Sequence, residues 1–167
     1  MKLKVKRLVP DAVLPVKAHP TDSGFDLFAA ERVVIEPGET KIVKTGIAIE
    51  LPNGHDAQVR PRSGVTSKTK LRVQVGTIDQ GYAGEIGIMV DNISNAEVRN
   101  EWRYPKLGID GKTIKDNYSA SSCTYLIRKG DKLAQLVIAA VAHPTVVEVD
   151  VLNEGERGGN GFGSTGI

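Results

Sequence analysis

Short apolar runs, each ended by a glycine or proline turn, dominate this sequence up to about residue 151. The chain has 167 residues with 18 glycines and 8 prolines, so no run is long enough for a large helix. Only the segment 63–71 has the composition of a short helix, with Ser63 near its start. Many short strands between such turns predict an all-β sandwich or barrel in a single domain spanning 1–167.

The predicted strands follow from alternation and from β-branched residues. An N-terminal strand has Leu3 and Val5 alternating with lysines, and Phe25, Leu27 and Ala29 alternate in the next one. Further strands are predicted at 33–35, 41–51, 55–60 and 73–92, and the last long apolar stretches are 133–141 and 145–151. We find no internal repeat, so a solenoid or propeller is not expected.

Net charge and cysteine content argue against some classes of function and indicate a cellular compartment. A net charge of +2 is too small to predict binding to nucleic acid or to an anionic membrane. No apolar run approaches the roughly 18 residues of a membrane span. Cys123 is the only cysteine, so an internal disulfide is impossible and a cytoplasmic location is the expectation.

The stretch Gly76–Gly84 has an unusual chemical content, because it sets Asp79 and Tyr82 among glycines. Val73 and Val75 lead into it and the run 86–90 leads out, which predicts a hairpin. Its tip can offer a small planar ligand backbone amides, a carboxylate and a ring. The competing interpretation is an ordinary hairpin with an exposed Asp and a half-buried Tyr.

Other polar segments have two interpretations each. Arg62 and Ser63 stand at the predicted helix start and suit a phosphate group, although a simple helix cap explains them too. Gln135 lies among apolar residues, either as a satisfied core amide or as a ligand contact. The glycine-rich end, 157–167, is a flexible tail by composition, or a flap that closes over a ligand.

Residues 93–123 differ from their surroundings, since they are polar yet contain Trp102, Tyr104 and Tyr118. We interpret them as an insertion in the barrel, with a small hairpin around Asp110–Gly111. The sequence does not decide whether this segment is ordered or disordered.

Taken together, five segments resemble, in order, the five motifs of the homotrimeric dUTPase family. They are DSGFDLFAA at 22–30, PRSG at 61–64, GTIDQGYAG at 76–84, GDKLAQL at 130–136 and RGGNGFGSTG at 157–166. One glycine-rich match would be weak, but five in order make chance a poor explanation. The resemblance covers nearly the whole chain except 93–123.

The resemblance implies a distorted jelly-roll β-barrel with one short helix, assembled as a homotrimer with active sites shared between subunits. It implies a dUTP diphosphatase, which converts dUTP and water to dUMP and pyrophosphate with Mg²⁺ on the triphosphate. Such an enzyme keeps uracil out of DNA and supplies dUMP for thymidylate synthesis. The expected ligand is dUTP, with no nucleic acid or membrane partner.

Roles in the central stretch follow from the same resemblance. Asp79 matches the carboxylate that orients and deprotonates the water attacking the α-phosphorus. Tyr82 matches the ring that packs under deoxyribose and leaves no room for a 2′-hydroxyl. Uracil would be read mainly by backbone groups of Val73, Gly76, Thr77, Ile78 and Gly87.

The resemblance assigns the triphosphate to the remaining motifs. Asp26 matches an acid near metal-bound waters, and Mg²⁺ would be held mainly by substrate phosphates, as its hydration preference allows. Phe162 would stack on uracil. The phosphate and flap contacts are Arg62, Ser63, Gly64, Gln135, Arg157, Gly163, Ser164 and Thr165.

The insertion is the main departure from the family pattern. Some phage dUTPases have insertions between the third and fourth motifs, and some of those bind regulatory proteins, which makes 93–123 a candidate partner surface and the host-cell cytoplasm a candidate location. Two other functions remain in view: a dCTP deaminase, which shares the fold, and a binding module without catalysis. Asp79, Tyr82 and the fifth motif favour the hydrolase over the deaminase. An intact set of polar residues argues against a purely non-catalytic module: Arg62, Ser63, Asp79, Gln135 and Arg157.

Overall fold

The computed structural model describes residues 2–95, 105–114 and 122–153. These residues form short strands and one helix, in agreement with the all-β prediction. The strands are β1 (Lys4–Arg7), β2 (Gly24–Phe28), β3 (Val33–Ile35), β4 (Thr40–Lys44), β5 (Ile47–Glu50), β6 (His55–Pro61), β7 (Leu71–Val73), β8 (Gly76–Ile78), β9 (Gly87–Asn92), β10 (Tyr125–Ile127) and β11 (Lys132–Ala140), and the helix is α1 (Ser63–Lys68).

The strand pairings are antiparallel and mostly join elements far apart in sequence. One sheet has the order β2-β11-β6-β8 and a second has β4-β9-β7, while β1 pairs with β5 and β3 with β10. Pairs between non-consecutive strands require long connections across the barrel, which is the pattern of Greek-key and jelly-roll folds. The predicted jelly-roll barrel is therefore confirmed.

The core lies between the sheets and consists of aliphatic side chains. Ile35, Val43, Leu71, Ile88 and Leu136 are completely buried. Side chains alternate between the two faces of a strand, and this explains which residues are buried. In β9, residues 88, 90 and 92 point inward while 87 and 89 are exposed.

Helix α1 is short, and side-chain hydrogen bonds stabilise its C-terminal end. Val65 is its one buried side chain. The Thr69 hydroxyl donates to the Val65 carbonyl at 2.6 Å, and the Arg72 guanidinium donates to the carbonyls of Thr66 and Thr69 at 3.3 and 3.1 Å. The bond from Arg72 to Thr66 satisfies a carbonyl that a helix end leaves without a partner, and the three bonds together hold this short helix beside the site.

The predicted hairpin at 73–92 is confirmed at its base, where β7 pairs with β9 and Val73 lies opposite Val90, but it is wrong beyond Val75. Strand β8 pairs with β6 in one sheet, whereas β9 pairs with β4 and β7 in the other. The chain changes sheets at Val75, which is 68% exposed. Beyond this point the two arms diverge, and Ile78 and Ile86 are both buried in the core.

The predicted strand at 41–51 is interrupted at Thr45–Gly46, which separates β4 from β5. Gly46 has a φ of +69°, and a Cβ there would lie 2.7 Å from Val9 Cγ2. Only glycine fits both the left-handed backbone and the close approach of the N-terminal segment.

Part of the predicted insertion is packed against the barrel. Leu107 bridges Thr113 across the turn at Asp110–Gly111, so the predicted small hairpin is confirmed. Leu107 accepts a backbone hydrogen bond from Leu126 at 2.8 Å, and Ile114 is 6% exposed. Trp102, Tyr104 and Tyr118 lie outside the described residues.

The apolar stretch 145–151 joins no strand of the described chain. Val146 is 95% exposed and Val151 is 82% exposed. Its apolar side chains therefore have no packing partner among residues 2–95, 105–114 and 122–153, in contrast to those of the preceding strand β11. No helix of the described residues is long and apolar enough to cross a membrane.

Candidate active site

A pocket of about 440 Å³, called here the Asp26 pocket, lies where β2, β11 and the start of α1 meet. Pairing of β11 with β2 and β6 brings three of the polar motifs together, with Gln135 opposite both Asp26 and Arg60. The pocket is lined by Ala18, Asp22, Ser23, Gly24, Asp26, Arg62, Ser63, Gly64, Lys132 and Gln135. The structure thus brings together the predicted residues Asp26, Arg62, Ser63, Gly64 and Gln135.

Asp26 holds two cations at the edge of this pocket. Its Oδ1 lies 3.0 Å from Arg62 Nε, and its Oδ2 lies 2.9 Å from Lys132 Nζ. Arg62 Nη1 also donates to the Lys132 carbonyl oxygen at 2.8 Å. The Asp26 carboxylate thus holds a guanidinium and an ammonium group in a fixed geometry, and cations placed in this way suit recognition of a phosphate group.

Lys132 was missed by the sequence analysis, although it stands in the fourth motif. Its position beside Asp26 depends on the β2–β11 register, where Lys132 pairs with Phe28. A basic residue three positions before a motif glutamine, at the start of a strand, was the available signal. Sequence alone does not show which strand lies alongside it.

Gln135 is oriented by two close contacts. Its Nε2 donates to the Pro61 carbonyl at 2.9 Å. A Cβ on Gly24 would lie 2.7 Å from Gln135 Oε1, so the glycine leaves room for the amide. The side chain borders the pocket instead of being enclosed in the core, which favours the ligand-contact interpretation.

A second pocket, of about 210 Å³ and called here the Asp79 pocket, opens where β8 and β9 diverge. Residues of the central stretch line it: Val59, Gly76, Thr77, Ile78, Asp79, Tyr82, Glu85, Ile86 and Gly87. Because β8 and β9 form no ladder with each other, a gap stays open between them. The predicted residues Gly76, Thr77, Ile78, Asp79, Tyr82 and Gly87 all border this gap.

The loop between the two arms is anchored at several points. Tyr82 donates its backbone N–H to the Asp79 carbonyl at 2.9 Å. Gln80 bonds with its side chain to Asn53 Oδ1 at 3.0 Å and to the Gly54 N–H at 2.9 Å. Asp79 itself is exposed. Because its neighbours are anchored and its carboxylate is exposed, Asp79 can accept a hydrogen bond from water or from a ligand.

The two pockets share no lining residue within the described chain. Strand β6 connects them, because Val59 borders the Asp79 pocket and Arg62 follows the end of the strand. Val73 borders neither pocket: it is 7% exposed and pairs with Val90. The predicted residues Arg157, Phe162, Gly163, Ser164 and Thr165 lie outside the described residues.

The side chains of the Asp26 pocket could hold Mg²⁺ only together with the oxygens of a bound phosphate group. Asp22 and Asp26 are its acidic lining residues, and both Asp26 oxygens already face cations. No group of three or more acidic, His or Cys side chains suited to a metal occurs among residues 2–95, 105–114 and 122–153. Mg²⁺ binds six oxygens and keeps several waters, so phosphate oxygens and water would have to complete the set.

The chain is similar to proteins of one known family. The dUTPase family model matches residues 11–103 and 117–166, which leaves unmatched a stretch within the predicted insertion. The deoxyuridine 5'-triphosphate nucleotidohydrolase of Gloeothece citriformis is 43% identical over 169 residues, covering 100% of this chain and 98% of that protein.

Two solved phage proteins are also similar. The Staphylococcus bacteriophage 80alpha dUTPase with dUPNHPP has a TM-score of 0.93 and 37% identity, with 99% of each chain covered. Phage dUTPases of that kind control transfer of virulence genes. A mutant dUTPase from phage phi11 of S. aureus, with a coordinated structural Mg(II) ion, has a TM-score of 0.88 and 37% identity, covering 92% of this chain and 100% of that one.

Proposed function

Because this chain belongs to the dUTPase family, we propose that its two pockets are the halves of an active site that hydrolyses dUTP to dUMP and pyrophosphate. The observation that carries the proposal is the Asp26 pocket, where residues of three separate motifs surround one cavity with a fixed pair of cations. The Asp79 pocket supplies a carboxylate and a gap bordered by backbone groups.

The reaction is the attack of water on the α-phosphorus, with pyrophosphate as the leaving group. Asp79 is exposed, and a carboxylate in this position accepts a proton from the attacking water. It stands at the end of β8, next to the gap between the arms. Removing the proton as the water attacks raises its nucleophilicity where the new P–O bond forms.

The triphosphate is bound by the Asp26 pocket. Arg62, Ser63, Gly64 and Gln135 supply donors to phosphate oxygens, and Asp26 keeps the Arg62 guanidinium in one orientation. The family uses Mg²⁺, which when bound to the triphosphate neutralises its charge and favours departure of pyrophosphate. Asp26 would contact that ion through water.

The uracil ring is read by the Asp79 pocket. Backbone groups of Gly76, Thr77, Ile78 and Gly87 border the gap, and each backbone unit offers a fixed donor or acceptor. Tyr82 forms one wall, where a flat ring under the sugar excludes a 2′-hydroxyl. The flap residues Arg157, Phe162, Gly163, Ser164 and Thr165 would close over the bound nucleotide and exclude water.

A homotrimer with shared sites explains two features of the single chain. The apolar residues of 146–152 are largely exposed, Val146 by 95%, which is unfavourable for an isolated monomer. In addition, β1 pairs only with β5 among the described strands, so its other edge is available to a strand from another copy. Shared sites would also join the two pockets and the flap across subunits.

Pyrophosphate release from dUTP, dCTP, dTTP and UTP tests the function directly. We expect rapid release from dUTP alone. Deamination of dCTP without pyrophosphate release would instead identify a dCTP deaminase, and inactivity towards all nucleotides would identify a binding module. The mass of the assembly in solution, by sedimentation, tests the trimer in the same preparation.

Mixing Asp79→Asn subunits with Arg157→Ala subunits tests whether sites are shared. If Asp79 and Arg157 of one site come from different subunits, a mixed trimer contains some sites with both residues intact. We expect reshuffled trimers, verified by native mass, to regain part of the wild-type turnover that both parents lack. Trimers that stay as inactive as the parents would exclude sharing between these residues.

We also propose that 93–123 contacts a regulatory protein, as phage relatives with a control function suggest. The hairpin at 107–113 packs on the barrel and should stay intact in a test. A variant with Trp102, Tyr104 and Tyr118 replaced by alanine should therefore hydrolyse dUTP at the wild-type rate, measured by pyrophosphate release. Loss of turnover or of the trimer would make these rings part of the scaffold.

A further inference from the structure

The Tyr82 ring lies directly on the backbone of Gly84. A Cβ built on Gly84 would lie 2.5 Å from Tyr82 Cζ, closer than Cβ atoms approach other atoms in proteins, and 3.0 Å from Cε2. The three nearest atoms to that Cβ all belong to the Tyr82 ring or its hydroxyl. The absence of a side chain at 84 is thus what permits this position of the ring.

The hydroxyl end of the ring is tied to a fixed part of the barrel. Tyr82 Oη donates to the Glu85 carbonyl at 3.0 Å. Glu85 is itself held, because its carboxylate accepts from the Gly46 N–H at 2.8 Å, and the next residue, Ile86, donates to the Ile47 carbonyl at 2.9 Å. Ile86 is 1% exposed, so the acceptor cannot shift without disturbing the core.

A methyl group at 84 would displace the ring and leave the backbone in place. Gly84 is not among the glycines with a left-handed φ, so alanine fits its backbone. Tyr82 is 49% exposed and its ring can swing towards solvent. The collision should therefore change the position of the Tyr82 ring and have little effect on the stability of the fold.

We propose that Gly84 is a specificity-determining residue, which sets how far the Tyr82 ring reaches under the sugar and so determines the preference for deoxyribose over ribose. The inference rests on the proposed hydrolysis of dUTP. It concerns a residue that touches Tyr82 and acts through it, so Gly84 is a positioning residue and not a catalytic one.

Gly84→Ala and its matched control, Gly81→Ala, separate this role from general loop effects. A Cβ on Gly81 meets no atom within 4 Å, although Gly81 lies in the same loop. We expect Gly84→Ala to lower the ratio of kcat/KM for dUTP over UTP at least about tenfold, since discrimination against one added hydroxyl in a pocket is about a hundredfold. Gly81→Ala should keep that ratio within about twofold, as exposed substitutions do. Equal losses in both variants, or none in Gly84→Ala, would overturn the proposal.

A double-mutant cycle checks that the effect passes through the ring. In a Tyr82→Ala background, Gly84→Ala should change the same ratio by less than about twofold, because nothing remains for the methyl group to displace. A larger change, or unfolding of both Gly84→Ala and the double variant, would mean that the methyl group collides with something other than the ring, and the proposal fails.

A measurement without nucleotide distinguishes failure of this proposal from failure of the proposed function. In protein with ¹³C-labelled tyrosine, the Tyr82 ring signals are assigned by their loss in Tyr82→Phe. They should shift in Gly84→Ala and stay in place in Gly81→Ala. Unshifted signals overturn the role of Gly84, whereas a wild-type protein that does not hydrolyse dUTP overturns the function.

Discussion

Replacing Asp79 with asparagine should lower kcat for dUTP by about 10²–10⁴-fold, the usual contribution of a general base. The amide has nearly the same shape as the carboxylate but cannot take the proton of the attacking water. Asp79 is exposed, so the substitution disturbs no core contact. Single-turnover pyrophosphate release measures the chemical step, and binding of a non-hydrolysable dUTP analogue should remain close to wild type.

The matched control for this variant is Asp56→Asn. Asp56 is a carboxylate in the adjacent strand β6, it borders neither pocket, and it accepts from the Gln58 side chain at 3.1 Å. Its replacement should leave kcat unchanged. Near-normal turnover in Asp79→Asn, or an equal loss in both variants, would remove Asp79 from the mechanism.

Replacing Arg62 with alanine should lower kcat/KM for dUTP by about ten- to a hundredfold. A hydrogen bond to a charged group contributes about 1.5–3 kcal/mol, which corresponds to this range. The guanidinium is held by Asp26 at 3.0 Å and by the Lys132 carbonyl at 2.8 Å, so its orientation towards a phosphate is set before binding. Steady-state kinetics should show most of the loss in KM.

Arg60→Ala is the control, since Arg60 stands two residues earlier and bonds to Gln58 Oε1 at 2.6 Å on the exposed side of β6. We expect its kinetics to match wild type. Arg62→Lys should recover only part of the loss, because an ammonium group keeps the charge without the planar fork. Wild-type kcat/KM in Arg62→Ala would exclude Arg62 from phosphate binding.

Local composition determined which segments become strands. Alternating residues such as Phe25 and Leu27 gave the expected β2, and the glycine and proline turns separated short strands as expected. The order of the motifs along the chain was enough to identify the family, because spacing and residue type are properties of the sequence.

Strand pairing was decided only by the tertiary structure. Consecutive strands pair in roughly two-thirds of cases, so a hairpin around Gly81 was the natural prediction. The base of this hairpin does form, since β7 pairs with β9, but β8 joins β6 in the other sheet and the Asp79 pocket opens between β8 and β9. For the same reason Lys132 was not predicted as a site residue, because its short distance to Asp26 follows from the β2–β11 register.

The sequence by itself determined which chemical groups this protein has: a carboxylate and a ring among glycines, a guanidinium before a short helix, and an amide inside an apolar strand. The tertiary structure decided which of them meet. It joined Asp26, Arg62 and Gln135 in one pocket and left Asp79 in another. It also left the apolar segment around Val146 exposed. The physical reason is that contacts between distant segments depend on how all the apolar faces are buried together, which no local pattern contains.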